Sequence, residues 1–138
     1  MKKSFFSLSA LILIALSFTA CKKDEKTFEE QVVGSWHSVK VKVNDNNATN
    51  YYEYDLQLEQ DKSFDATLRY TPPPPIQEAV KHPKGQWVAI DTDQKLELTY
   101  DGTQEVESYE VLELSDTEMM VRIEQSNGDK IEISFEKL

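Results

Sequence analysis

From residue 52 onward this chain alternates apolar and polar side chains almost one for one. Tyr52, Tyr54, Leu56 and Leu58 share one parity, while Glu53, Asp55, Gln57 and Glu59 share the other. Successive side chains of an extended strand leave opposite faces, so this rhythm puts one face in a core and the other in water. A helix cannot satisfy it, because at 3.6 residues per turn the apolar set would be smeared around the axis. The pattern returns in Phe64, Ala66, Leu68 and Tyr70, in Leu96, Leu98 and Tyr100, and in Ile131, Ile133 and Phe135. Met119, Val121 and Ile123 form a further row, with Met120 left on the outer face. Between Glu105 and Leu114 the phase changes. Tyr109 and Val111 fall on one parity, Leu112 and Leu114 on the other, which predicts a bulge.

Turn chemistry separates the runs. Asp61-Lys62, Asp91 to Gln94, Asp101-Gly102, Ser115-Asp116 and Asn127-Gly128 are all tolerant of tight turns. The expected strands are 35–43, 51–60, 63–70, 85–91, 95–100, 105–114, 118–125 and 130–137. Short links make sequence neighbours sheet neighbours, and eight antiparallel strands lose their edges by closing into an up-and-down barrel. The one long connection holds Pro72 to Pro75 and Pro83, and four consecutive prolines predict a stiff extended arm at its start. Before the first strand, Thr27 and Glu30 are spaced as a capping box, with Phe28, Val32 and Val33 as apolar contacts, so a short helix ends near Gly34. The fold class is therefore all-β: an eight-stranded antiparallel barrel with a short N-terminal helix.

The N-terminus has a different character. Lys2 and Lys3 precede an apolar run from Phe5 to Ala20, which is short for a bilayer span and reads as a secretory signal. Ser17-Phe18-Thr19-Ala20-Cys21 resembles the cleavage box of bacterial lipoproteins, with Phe18 departing from the usual aliphatic residue. Cys21 is the only cysteine. The resemblance makes it the lipid-bearing first residue of the mature protein, and stable anchoring needs more than one acyl chain. Lys22-Lys23-Asp24-Glu25-Lys26 resembles the charged tether of lipoproteins displayed on the surface of some Gram-negative outer membranes. The expected organisation is a signal over 1–20, a tether over 21–27 and one domain over 28–138. The formal charge is −10 for the full chain, and loss of Lys2 and Lys3 with the signal takes it to about −12. That balance argues against nucleic acid or anionic lipid surfaces as partners.

Gly34-Ser35-Trp36 follows the helix and opens the first strand, and Gly85-Gln86-Trp87 opens the fourth. This layout resembles bacterial lipocalin-like lipoproteins. The resemblance implies that Gly34, Trp36, Gly85 and Trp87 are structural motif residues and that Trp36 closes one end of the barrel. In animal lipocalins a basic residue stacks on that Trp, a position for which Arg122 and Lys137 are the two alternatives here. The closed meander and its inward aromatics lead to the expectation of a module that binds a small hydrophobic or amphipathic ligand. A protein-binding role, such as inhibition of a cationic enzyme, or a place in an outer-membrane assembly is the alternative.

No catalytic arrangement emerges, so a binding protein is expected rather than an enzyme, without cofactor or metal. His37 and His82 lack metal-site spacing. Glu105, Glu107, Glu110 and Glu113 are assigned to the solvated outer face. Asn44 to Asn47 lacks the glycine and closing glutamate of a calcium loop and reads as a hairpin turn. The candidate ligand-binding residues are the inward aromatics Tyr52, Tyr54, Tyr70, Trp87 and Tyr100. Outward Tyr51 is a separate candidate for contact with a protein partner.

Overall fold

A computed structural model describes residues 24–138; the signal over 1–20 and Cys21 lie outside the described residues. The helix α1 (Phe28–Val32) has the expected capping box: Glu30 N donates to Thr27 Oγ1 at 3.2 Å, and Thr27 N donates to Glu30 Oε2 at 2.8 Å. Five residues are too few for an autonomous helix, so burial of Phe28 and Val32 holds it in place. No helix of the described residues is long and apolar enough to cross a membrane.

The strands are β1 (Gly34–Val43), β2 (Asn46–Asn47), β3 (Tyr52–Leu58), β4 (Ser63–Tyr70), β5 (Ala79–Lys81), β6 (Lys84–Ile90), β7 (Lys95–Tyr100), β8 (Val106–Leu114), β9 (Glu118–Glu124) and β10 (Lys130–Lys137). Eight of them follow the order β10-β9-β8-β7-β6-β4-β3-β1, and pairing of β1 with β10 closes the ring. The fold is the expected up-and-down antiparallel barrel. Two short ribbons, β2 and β5, were not foreseen.

These ribbons shape the barrel. β1 pairs with β3 only from Gly34–Leu58 to His37–Asp55, and its upper part pairs with β2 instead. Likewise β4 pairs with β6 only over Ser63 to Asp65, and with β5 over Leu68 to Tyr70. Both seams are therefore zipped at the end near α1 and parted at the other. Where the β1–β3 ladder stops, Tyr54 N donates to buried Ser38 Oγ at 2.8 Å, so the first unladdered amide is not orphaned. The Asn44-Asp45 turn of the β1–β2 hairpin has φ of 48° and 66°, the double positive φ that such a tight hairpin demands.

The bulge expected in β8 is present: the register with β9 jumps between Val111 and Glu113, leaving Leu112 as the extra residue. A second bulge lies in β1 between Ser38 and Lys40. It turns Val39 outward and switches the inward set from Trp36 and Ser38 to Val41 and Val43. The proline segment corrects an expectation. It is no extended arm: Ile76 N donates to Pro73 O, the Pro74–Pro75 bond is cis, and the chain returns to lay β5 against β4. The reason is pairing, since Arg69–Val80 and Tyr70–Ala79 partners require the loop to double back.

Candidate functional site

The two ends of the barrel differ in chemistry. At the zipped end Trp36 is fully buried, and its Nε1 donates to Val32 O at 2.7 Å, tying α1 to the first strand. Lys137 Nζ lies 4.8 Å from the Trp36 ring centroid and donates to Gln31 O at 3.2 Å. Lost hydration, followed by the nearby charge of Lys26, lowers the Lys137 pKa. Of the two basic residues singled out above, Lys137 therefore meets the tryptophan. Arg122 sits on the outer face, bridging Glu132 at 3.2 Å and Glu110 at 3.7 Å.

Trp87 repeats the arrangement. It too is fully buried, its Nε1 donates to Glu59 O at 3.0 Å, and Lys62 Nζ lies 4.5 Å from its ring. Lys62 also pairs with Glu29 of α1. Each Gly-x-Trp copy thus builds a ring that is apolar on its body, bonded at its one N–H and covered by a lysine. Such a tryptophan has no free edge to offer a ligand. Trp87, a candidate ligand contact in the sequence reading, belongs to the plug and not to the cavity.

The parted end opens on a cavity of about 780 Å³. Val41, Leu68, Ile123 and Ile133 supply apolar wall, and Tyr52, Tyr54 and Tyr100 supply aromatic wall. Its mouth lies between the β5–β6 junction, at Lys81 to Lys84, and the β7–β8 connection, at Asp101 to Glu105. Tyr70 is not part of the lining. It stacks behind Tyr52, with centroids 4.8 Å apart and planes at 29°.

Polar atoms on the inner wall form a connected set. Tyr54 OH and Tyr109 OH are 2.5 Å apart, both buried. Tyr100 OH donates to Glu107 Oε2 at 2.9 Å. Burial raises the Tyr54 and Tyr109 pKa values, and the Glu107 charge adds to both. For Tyr100 burial is again the largest cause, with Glu107 next. Tyr109 and Glu107 are the site residues that sequence reasoning missed. Glu107 shares the parity of Tyr109 and Val111 ahead of the bulge, so strict phase would have placed it inside; its charge argued for the outer face. Its assignment to the solvated exterior is corrected: it is half-buried on the cavity wall.

This pair yields two expected results. Tyr109→Phe leaves the Tyr54 hydroxyl buried without its partner and costs about 1–3 kcal/mol in urea unfolding. Tyr54→Phe costs a similar amount, and the double variant recovers part of it, with a coupling of about 1 kcal/mol. Strict additivity would show that the hydroxyl pair carries no energy. Alkaline pH acts on the same groups. Their folded pKa values lie above the unfolded value near 10.0, so the neutral form is favoured by folding. The associated stability is complete below about pH 10 and declines above it, by about 1.4 kcal/mol per pH unit for each buried tyrosine. Urea midpoints between pH 8 and 12 read this directly, and the Tyr54→Phe/Tyr109→Phe variant shows a flatter decline.

On the outer wall His37 Nδ1 lies 2.6 Å from Asp55 Oδ1, and with Glu53 these residues bring their ligand-capable atoms within 4.8 Å of one another. Arg69 Nη1 already holds Glu53 at 3.2 Å, which makes the cluster a cross-strand ion-pair ladder. His82 Nδ1 meets Thr67 Oγ1 at 3.1 Å on the exposed rim.

The class defined by this geometry is a closed eight-stranded antiparallel barrel, plugged at one end by two tryptophans and opening at the other on a cavity. Neither a protein-family model nor a curated protein matches the sequence. Among solved structures the chain is similar to a redesigned β-barrel, at a TM-score of 0.52 and 13% identity, over 83% of this chain and 97% of that one. At such identity the likeness shows the fold alone.

Proposed function

We propose that this protein is a lipid-anchored, lipocalin-like binding lipoprotein whose barrel holds a small amphipathic molecule. One observation carries the reading: about 780 Å³ of space with apolar and tyrosine walls at the parted end. Barrel cavities of this size suit a single small ligand, and sites of this kind pair apolar walls with a few placed polar groups. The opposite end contributes rigidity, since both tryptophans there are saturated. Lipid on Cys21, with the charged residues that follow, places the barrel at the outer membrane, facing the cell exterior.

The soluble domain, residues 24–138, incubated with a bacterial lipid extract and examined by native mass spectrometry, is expected to carry one bound small molecule. Leu68→Trp projects an indole into the cavity and is expected to reduce occupancy by about tenfold or more while the circular dichroism of the barrel is kept. Unchanged occupancy in that variant would place any ligand elsewhere and end the reading.

A further inference from the structure

Glu107 is an unusual group to find on such a wall. Its carboxylate is half-buried, it faces the cavity, and it accepts a hydrogen bond from Tyr100 OH. Among the described residues no lysine, arginine or histidine forms an ion pair with it. Two outward carboxylates that flank β9, Glu110 on β8 and Glu132 on β10, are treated differently. Arg122 neutralises Glu110 and Glu132. A carboxylate drawn out of water is costly unless a cation compensates it, and one neutral hydroxyl compensates it only in part. Its field reaches Tyr54, Tyr100 and Tyr109, whose pKa values it raises, so the negative potential extends across the aromatic part of the cavity.

The surrounding rings add to this preference. Tyr52, Tyr54 and Tyr100 line the same space, and aromatic faces attract cations, most strongly where water is displaced. The basic groups at the mouth do not offset it. Lys84 Nζ is held by Asp65 Oδ2 at 3.0 Å, His82 by Thr67, and these residues and Lys81 are all exposed, where water and salt screen them. Acidic Asp101, Glu105 and Asp129 share that mouth.

We infer that the cavity selects an amphipathic cation: an ammonium or related head set against Glu107 and the tyrosine rings, with an apolar body along Val41, Ile123 and Ile133. The inference rests on the binding reading above and names the ligand class for the same site. The negative overall charge of the protein would speed the approach of such a ligand, but the choice of head group is made by Glu107 on the inner wall.

Calorimetric titration of residues 24–138 with matched twelve-carbon probes below their micelle concentrations tests it. Dodecyltrimethylammonium is expected to bind at least about tenfold tighter than dodecyl sulfate or dodecyl maltoside, at about 0.15 M salt. Tetramethylammonium, a head without a tail, is expected to bind at least about tenfold more weakly than the full amphiphile. In Glu107→Gln the three twelve-carbon probes should converge to within about twofold, with maltoside affinity retained as the measure of an intact cavity. Glu97→Gln removes the same charge from the outer face and should preserve the preference. Equal affinities in the unaltered protein, or a cation preference that survives Glu107→Gln, overturn the inference and leave the binding reading standing. Tetramethylammonium binding as tightly as the amphiphile also overturns it, since the ligand would then be a small ion. Failure of every probe to bind removes both.

Discussion

Gly85→Ala is expected to cost about 3 kcal/mol or more, a large share of the roughly 5–15 kcal/mol that stabilises a domain of this kind. Gly85 is buried where β4, β6 and β7 meet, paired with Phe64 on one side and Tyr100 on the other. A Cβ there would lie 1.9 Å from the Thr99 carbonyl oxygen and 2.9 Å from Phe64 Cε1. The first neighbour is backbone, so no rotamer change relieves the overlap; the strands themselves would have to separate. Gly102 provides the contrast. A Cβ there meets nothing within 4 Å, and only its φ of 87° opposes substitution, so Gly102→Ala should cost about 1–2 kcal/mol. Urea unfolding of the two variants settles the matter. Equal midpoints for Gly85→Ala and the unaltered protein would show that β6 and β7 do not approach as closely as described.

Trp36→Ala is the second large effect, at about 3–5 kcal/mol. Its ring is fully buried, joins α1 to the barrel through the 2.7 Å bond to Val32 O, and supports Lys137 above it. Removing it opens a cavity and frees the five-residue helix, which cannot persist alone. Trp36→Phe separates the terms: most of the ring volume stays, the N–H bond is lost, and about 1–2 kcal/mol should disappear. Lys137→Met should cost under about 1 kcal/mol, because a cation over a ring near the surface is worth little more. Unfolding followed by tyrosine fluorescence at varied urea reads the series. A Trp36→Ala midpoint close to that of Lys137→Met would mean that the plug is not a stability element. The same size of loss is expected at Trp87, which has a matching bond and lysine cover.

The contrast between the ends has a physical logic. At the zipped end both tryptophans are bonded and covered, and the β1–β3 and β4–β6 ladders are formed. At the parted end β2 and β5 borrow the upper edges of β1 and β4, which splays the wall and makes room. Stability and binding space are thereby assigned to different parts of one cylinder, so mutations at the plug should alter folding and mutations at the mouth should alter selectivity.

Much of this was legible beforehand. The eight strand positions followed from alternation, and the β8 bulge from a phase change at Leu112. Lys137 and Arg122 could not be told apart, because the choice depends on which strand end lies beside α1, and that is a matter of closure. Glu107 was read by its charge when its parity carried the better information. The proline stretch was read by its stiffness alone, and cross-strand pairing of β5 overrode that preference.

What the sequence determined by itself is the local and periodic part: the strand rhythm, the helix cap at Thr27, the tight turns and the acidic exterior. These depend on near neighbours along the chain, whose spacing is written directly in residue order. Only the tertiary structure decided that β1 meets β10, that Lys137 covers Trp36, that Tyr54 faces Tyr109 and that Glu107 stands on the cavity wall. Those relations join residues far apart in sequence, and they arise from register and curvature, which become defined only when the ring closes.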